Sequence, residues 1–258
     1  ETVLFPSEGR ETQAQFGSSV TTEFISESEE GGSYESSTLL AVGAPGDSSG
    51  ATERGSVYLY LVTESDEGSS ASLLDVVSPG LGAYSHFGGS IALSMSDNGV
   101  VQGAISAAGQ DSSGSVLVFL SLYTPSTGMV SGAYQRIHPS AATSGSSFGH
   151  SVNFHRNIIA IGAPGDTAAG QSPATGAVYV YQIVDNNRIQ MQNTLRIGTG
   201  TADAQGLKDS EYVPQAHAGY GSSVAIAGSS LFVGVPLGDL STAASDDSQG
   251  DDGSDDGD

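Results

Sequence analysis

The chain has 258 residues, enough for one large domain or two small ones, and 37% of them are hydrophobic, which is adequate for a core. Its 29 acidic residues against 7 basic ones leave a formal net charge of -22, which disfavours nucleic acid and anionic membrane surfaces and favours divalent cations or basic partners. There is no cysteine and no run of 18 or more apolar residues, so neither a disulfide framework nor a membrane-spanning helix is expected.

The 36 glycines punctuate short runs rich in Val, Ile, Leu and Tyr, the pattern of strands and turns, so the chain reads as all-β. Along the chain, the apolar piece TVLFP is followed by FGSSV from Phe16, LLAVGAPGD ending at Asp47 and GSVYLYLV from Gly55. LLDVV then precedes FGGSI from Phe87, GAISAAGQD ending at Asp111 and GSVLVFLSL from Gly114. YQRIH precedes FGHSV from Phe148, IIAIGAPGD ending at Asp166 and GAVYVYQIV from Gly176. NTLRI precedes YGSSV from Tyr220 and LFVGVPLGD ending at Asp239, after which the sequence becomes an acidic low-complexity stretch over 240–258. The four starts lie 71, 61 and 72 residues apart, which is the signature of a repeat architecture.

Each unit reads as four strands of about five residues, the piece before the start being one of them. The third strands are apolar on both faces, Val57, Leu59 and Leu61 alternating with Tyr58 and Tyr60, so their sheets must be covered on both sides. Small sheets stacked face to face around an axis meet that requirement, which predicts β-propeller blades over 1–239. Phe16, Phe87, Phe148 and Tyr220 are expected to plug the space between blades. Gly43, Gly162 and Gly234 are expected where sheets crowd, and Pro45, Pro164 and Pro236 to end the second strand. The second unit has Ser106, Ala107 and Ala108 instead of Gly-Ala-Pro, which predicts a looser turn.

These registered copies resemble the FG-GAP repeat family, known from the head of integrin α subunits, over Val3 to about Asp239. The resemblance implies an extracellular, seven-bladed propeller of four-stranded antiparallel blades. About three and a half blades are present. The missing third strand in the fourth unit, together with Glu1 in place of a methionine, reads as a piece of a longer or processed polypeptide.

The resemblance also implies calcium loops of the form Asp-x-Asp-x-Asp-Gly-x-x-Asp between first and second strands. The first unit offers TTEFISESEEGGSYESS there, an acidic loop with Glu27, Glu29, Glu30 and Glu35 but the wrong spacing. The second offers only Asp97 and Asn98, the third (NFHRN) is too short, and the fourth (AIAGSS) has no carboxylate. In the acidic stretch, Asp252, Ser254 and Asp256 before Gly257 match the start of such a loop, against the alternative of a disordered insertion. Calcium is the one cofactor these segments admit.

Two serine motifs, GDSSG over 46–50 and GSSFG over 145–149, lack the structural context of a nucleophile, and no catalytic residue is expected. His86, His138, His150, His155 and His217 do not cluster; His150 and His155 are placed on opposite faces of one strand. The tyrosines of the third strands fit inter-blade filling better than a sugar-stacking surface, and the Ser/Thr-rich loops such as AATSGSS are candidate O-glycan carriers. The expected function is a non-catalytic extracellular or cell-surface module contacting a protein or glycan at the propeller rim, in adhesion or surface assembly. The alternatives are an accessory propeller of a secreted hydrolase, such as a phospholipase-type enzyme, and a structural protein that self-assembles blade to blade.

Overall fold

The computed structural model describes residues 14–30, 33–48, 51–110, 113–138, 143–167, 174–184, 187–196 and 218–236. Among these the apolar runs form strands only, with no helix. The first sheet runs β1 (Ser19–Glu30), β2 (Ser33–Ala44), β3 (Ser56–Ser65), β4 (Gly68–Val77), each antiparallel to the next. The second runs β5 (Phe87–Met95), β6 (Val101–Ala107) and β7 (Ser115–Thr124). Its fourth position is shared by two short strands, β8 (Met129–Val130) and β9 (Gln135–Ile137), both paired to β7. The third runs β10 (Ser151–His155), β11 (Ile158–Ala163), β12 (Ala177–Val184), β13 (Arg188–Leu195), and a fourth consists of β14 (Ser223–Ala227) and β15 (Ser230–Gly234). In the first, third and fourth sheets spatial order follows sequence order, each strand pairing with the next along the chain, the arrangement of a β-propeller-like stack.

Three expectations are corrected. The apolar piece before each start belongs to the preceding sheet: LLDVV lies in β4 and pairs with β3, YQRIH supplies β9, and NTL closes β13 against β12. The third strand has one edge bonded to the second, and the chain turns back at once to satisfy the other; TVLFP lies outside the described residues. The strands of the first sheet are not short, since β1 and β2 have 12 residues each and β3 and β4 have 10. TTEFISESEEGGSYESS is therefore not a loop but most of a long hairpin, whose alternating Thr, Phe, Ile and Tyr suit a pleated surface. His150 precedes β10, so only His155 is in that strand.

The sheets stack face to face. One core joins the first and second sheets through Leu39, Val57 and Leu59 on one side and Phe87, Ile105 and Leu117 on the other. A second joins the second and third through Val116, Val118, Phe148, Ile159 and Tyr179. Val116, Leu117, Val118 and Phe119 of β7 are therefore all fully buried, from both faces. At about 1.5–3 kcal/mol per buried apolar side chain, that single strand contributes an amount comparable with a domain's net stability, so the sheet depends on both neighbours.

The aromatic-glycine starts share one backbone form. The residue before the aromatic is left-handed in every unit (Gln15 φ 55°, His86 53°, Ser147 53°, Gly219 72°), and the following glycine sits at 90°, 91°, 92° and 90°. A side chain at that φ would be strained, which is why the second letter of the start is invariably Gly. The turn swings Phe87 and Phe148 fully into the seams, where Phe148 meets Tyr179 edge-on at 5.3 Å. Phe16 meets Tyr58 in the same way at 5.1 Å.

Candidate functional site

Three constellations carry polar chemistry: the seams between sheets, the loops after the second strands, and the acidic end of the first sheet.

At the seams, a side chain on Gly43 would collide with the Gly88 carbonyl of the next sheet, and one on Gly162 with the Gly221 carbonyl. Here the first strand of one sheet bonds to the next start: Ser19 Oγ donates to Gly88 O at 2.6 Å and Ser151 Oγ to Gly221 O at 2.8 Å. In the second sheet Ser106 replaces the glycine and its Oγ accepts from Ser90 N at 2.8 Å; Ser90 Oγ in turn accepts from Val152 N. Further along the first strands, Glu23 Oε1 accepts from Met95 N, Ser94 Oγ from Arg156 N and Asn153 Oδ1 from Ile226 N. The serine three places after each aromatic (Ser19, Ser90, Ser151, Ser223) was readable in all four starts, but its role required the stacking geometry.

In the first and third sheets the loop after the second strand is closed by an aspartate. Asp166 N donates to Ala163 O, Gly176 N donates to Asp166 O, and the fully buried carboxylate accepts from Tyr179 OH, Thr143 Oγ1 and Arg196 Nη2 at 2.8 Å. Arg196 also lies 5.9 Å from the Tyr179 ring centroid. Burial above all, then the Asp166 carboxylate, hold the Tyr179 hydroxyl well above the usual tyrosine range, partly offset by Arg196. Asp47 repeats the backbone pattern with Ala44 and Gly55, and its carboxylate accepts from Tyr58 OH at 3.4 Å. Asp111 lies outside the described residues.

The two serine motifs fall inside this scaffolding. Ser48 Oγ accepts from Glu53 N at 3.0 Å; in the second motif the central serine, Ser147, is the left-handed residue of the blade start (φ 53°), and its neighbour, buried Ser146, donates from Oγ to Ser113 O at 2.8 Å. The Ser48 and Ser146 hydroxyls thus tie loops together. The third-strand tyrosines Tyr58, Tyr60, Tyr179 and Tyr181 are buried between or against sheets, so they form no sugar-stacking surface. Among the histidines, His86 Nε2 lies 3.6 Å from Glu53 and His138 Nδ1 is 3.0 Å from Gly114 O; His217 is outside the described residues.

Glu27, Glu29 and Glu35 are exposed on the β1–β2 hairpin rather than gathered in a loop. Glu27 pairs with Ser36 and Glu29 with Tyr34, whereas Glu35 pairs with Ser28, so Glu35 projects from the opposite face of the sheet to the other two. Asp97 and Asn98 occupy an exposed turn. No group of three or more His, Asp or Glu that could hold a metal ion occurs among the described residues. Asp252, Ser254 and Asp256 lie outside them. The same end of the first sheet carries exposed Glu64, Asp66 and Glu67 at the β3–β4 turn, where Asp66 Oδ2 accepts from Tyr34 N at 2.9 Å.

Fold and seams together define a stack of propeller-like blades. Residues 132–181, which contain FGHSV, IIAIGAPGD and GAVYVY, match the family model of the FG-GAP repeat. No curated protein matches the chain. Among the described residues no helix is long and apolar enough to cross a membrane.

Proposed function

We propose that the chain is a non-catalytic, extracellular β-propeller module that uses its rims to contact another protein or a glycan, in adhesion or in assembly of a surface structure. The observation that carries the reading is how the polar side chains are used. The buried carboxylate of Asp166 and the hydroxyls of Ser19, Ser146 and Ser151 hold loops and blades together, while Glu27, Glu29, Glu35, Glu64, Asp66 and Glu67 stand exposed at one end of a single sheet. A concentrated negative rim attracts a basic protein surface or a cation-bridged glycan and steers its approach. The seven-bladed ring and extracellular location implied by the repeat family agree with that use.

The test is retention of beads coated with the chain on the surface of its source cells. Glu27→Gln, Glu29→Gln and Glu64→Gln together should abolish most of the retention and its salt sensitivity. Equal retention of beads coated with an unrelated protein of similar net charge would overturn the reading.

A further inference from the structure

The first sheet reaches past the end of its neighbour. β1 has 12 residues where β10 and β14 have five, and β2, β3 and β4 lengthen with it. On the face turned to the second sheet, the buried core along β2 and β3 goes no further than Leu39 and Leu59. Glu23, which pairs with Leu39, already accepts from the amide of Met95, the last residue of β5. Beyond that level the first sheet presents a face that looks toward a sheet the chain itself supplies, yet projects past the end of β5.

The next row on this face consists of hydroxyls. Ser26 pairs with Ser37, Ser37 with Thr63 and Thr63 with Ser70, so four hydroxyl side chains stand side by side across four strands, about 4.8 Å apart. Ser26 and Ser70 are exposed, Ser37 and Thr63 half-buried, and among the described residues none of the four hydroxyls has a hydrogen-bond partner. The serines at the seams, Ser19, Ser90, Ser94 and Ser151, are all engaged. Half-buried Leu61, one row back on β3, adds an apolar strip, and exposed Glu35, one row on, a carboxylate. The acids Glu27 and Glu64 point to the opposite face, since both pair with Ser36 rather than Ser37.

We propose that this hydroxyl row is a binding track for an uncharged, extended polysaccharide laid across the strands. A serine or threonine hydroxyl both donates and accepts, which is what sugar hydroxyls offer in return, and Leu61 with the Thr63 methyl gives the C–H face of a sugar ring an apolar surface. Cross-strand neighbours about 4.8 Å apart are on the scale of one sugar ring, so consecutive hydroxyls meet consecutive units of a polymer. An extended peptide would instead satisfy its backbone at a sheet edge, not on a face. An anionic polymer is disfavoured by Glu35 and by the net charge of -22, and β1–β4 contain no Lys or Arg to offset them. The inference rests on the rim reading only in taking a glycan as the partner; it uses the other face of the sheet and contacts that need no charge.

The experiment is co-sedimentation of the full chain with insoluble cellulose, β-1,3-glucan and mannan, in low salt and in about 0.5 M salt, where the Debye length is only a few Å. The expected result is retention on at least one of the three, equal in both salts. Bead retention on cells through the salt-sensitive carboxylates is a separate readout, so either reading can fail without the other. Ser37→Ala with Thr63→Val keeps the strands and removes the two central hydroxyls, and should weaken retention at least about tenfold. A wild-type chain retained on none of the three overturns the proposal, and so does retention that is lost in 0.5 M salt or that the double variant keeps in full. Should the double variant unfold, Ser26→Glu with Ser70→Glu, at the exposed ends of the row, decides: reduced retention supports the track, and undiminished retention overturns it.

Discussion

The Ser19 hydroxyl donates to the carbonyl of Gly88, 69 residues away, at 2.6 Å, across the seam between the first two sheets. The bond is made only because Gly43, paired with Ser19 across β1 and β2, has no side chain to hold the Gly88 backbone away. Gly43→Ala should therefore destabilise the chain by about 3 kcal/mol or prevent folding, since the obstacle is a main-chain carbonyl that no rotamer change can move. Gly132→Ala, in open space and without positive φ, should change stability by less than about 0.5 kcal/mol. Urea unfolding midpoints of the two variants check the contrast.

The opposite sign is expected one strand away. Ser56 and Ser115 begin the third strands of the first two sheets, and both hydroxyls are buried with no hydrogen-bond partner; the third sheet has Ala177 in the same place, also fully buried. A buried unpaired hydroxyl costs about 1–3 kcal/mol, so Ser56→Ala and Ser115→Ala should be neutral or stabilising by up to about that amount. Thermal unfolding measures this, and a clear loss of stability in both would mean that the hydroxyls are satisfied after all.

The repeat was legible in the sequence because its marks are backbone requirements. A glycine at φ 90° after an aromatic leaves no alternative residue, so FG recurs at Phe16, Phe87 and Phe148, while the glycine facing a neighbouring carbonyl recurs as GAP at Gly43 and Gly162, with Ser106 in its place in the second sheet. The grouping into sheets was not legible, because LLDVV is equally apolar whether it opens one blade or closes another; only the free edge of β3 decides. The acidic hairpin was misread for a related reason. Its glutamates suggest a solvated loop, but pairing to Leu39, Leu40 and β3 carries the strand past them, out to Glu30 and Ser33.

The Asp166 network should be asymmetric to mutation. Asp166 is fully buried and serves Tyr179, Thr143 and Arg196 at once, whereas the Arg196 side chain is 15% exposed. Asp166→Ala leaves a cation and two hydroxyls without their acceptor and should cost about 3–5 kcal/mol. Arg196→Met leaves the carboxylate two hydroxyl donors, keeps the packing on Tyr179, and should cost clearly less, about 1–2 kcal/mol. A chemical-denaturation series ranks them; equal losses would mean that the ion pair rather than the loop closure dominates.

Alkaline pH should open the same seam. Burial pushes Tyr181 up to about 12, and burial with the Asp166 carboxylate raises Tyr179 further, while an unfolded tyrosine titrates near 10. Between those values the folded chain holds protons that the unfolded chain has released, so stability is complete below about pH 10 and falls as pH rises toward and past 12. Phe148 packs edge-on against both rings, at 5.3 Å and 6.4 Å, so ionisation of either would put charge into the apolar contact between the second and third sheets. Unfolding free energy measured by urea at stepped pH should decline over that range, and the decline should be shallower in Tyr181→Phe, which keeps the ring and removes the titrating hydroxyl. An unchanged slope in that variant would assign the alkaline loss to groups outside the seam.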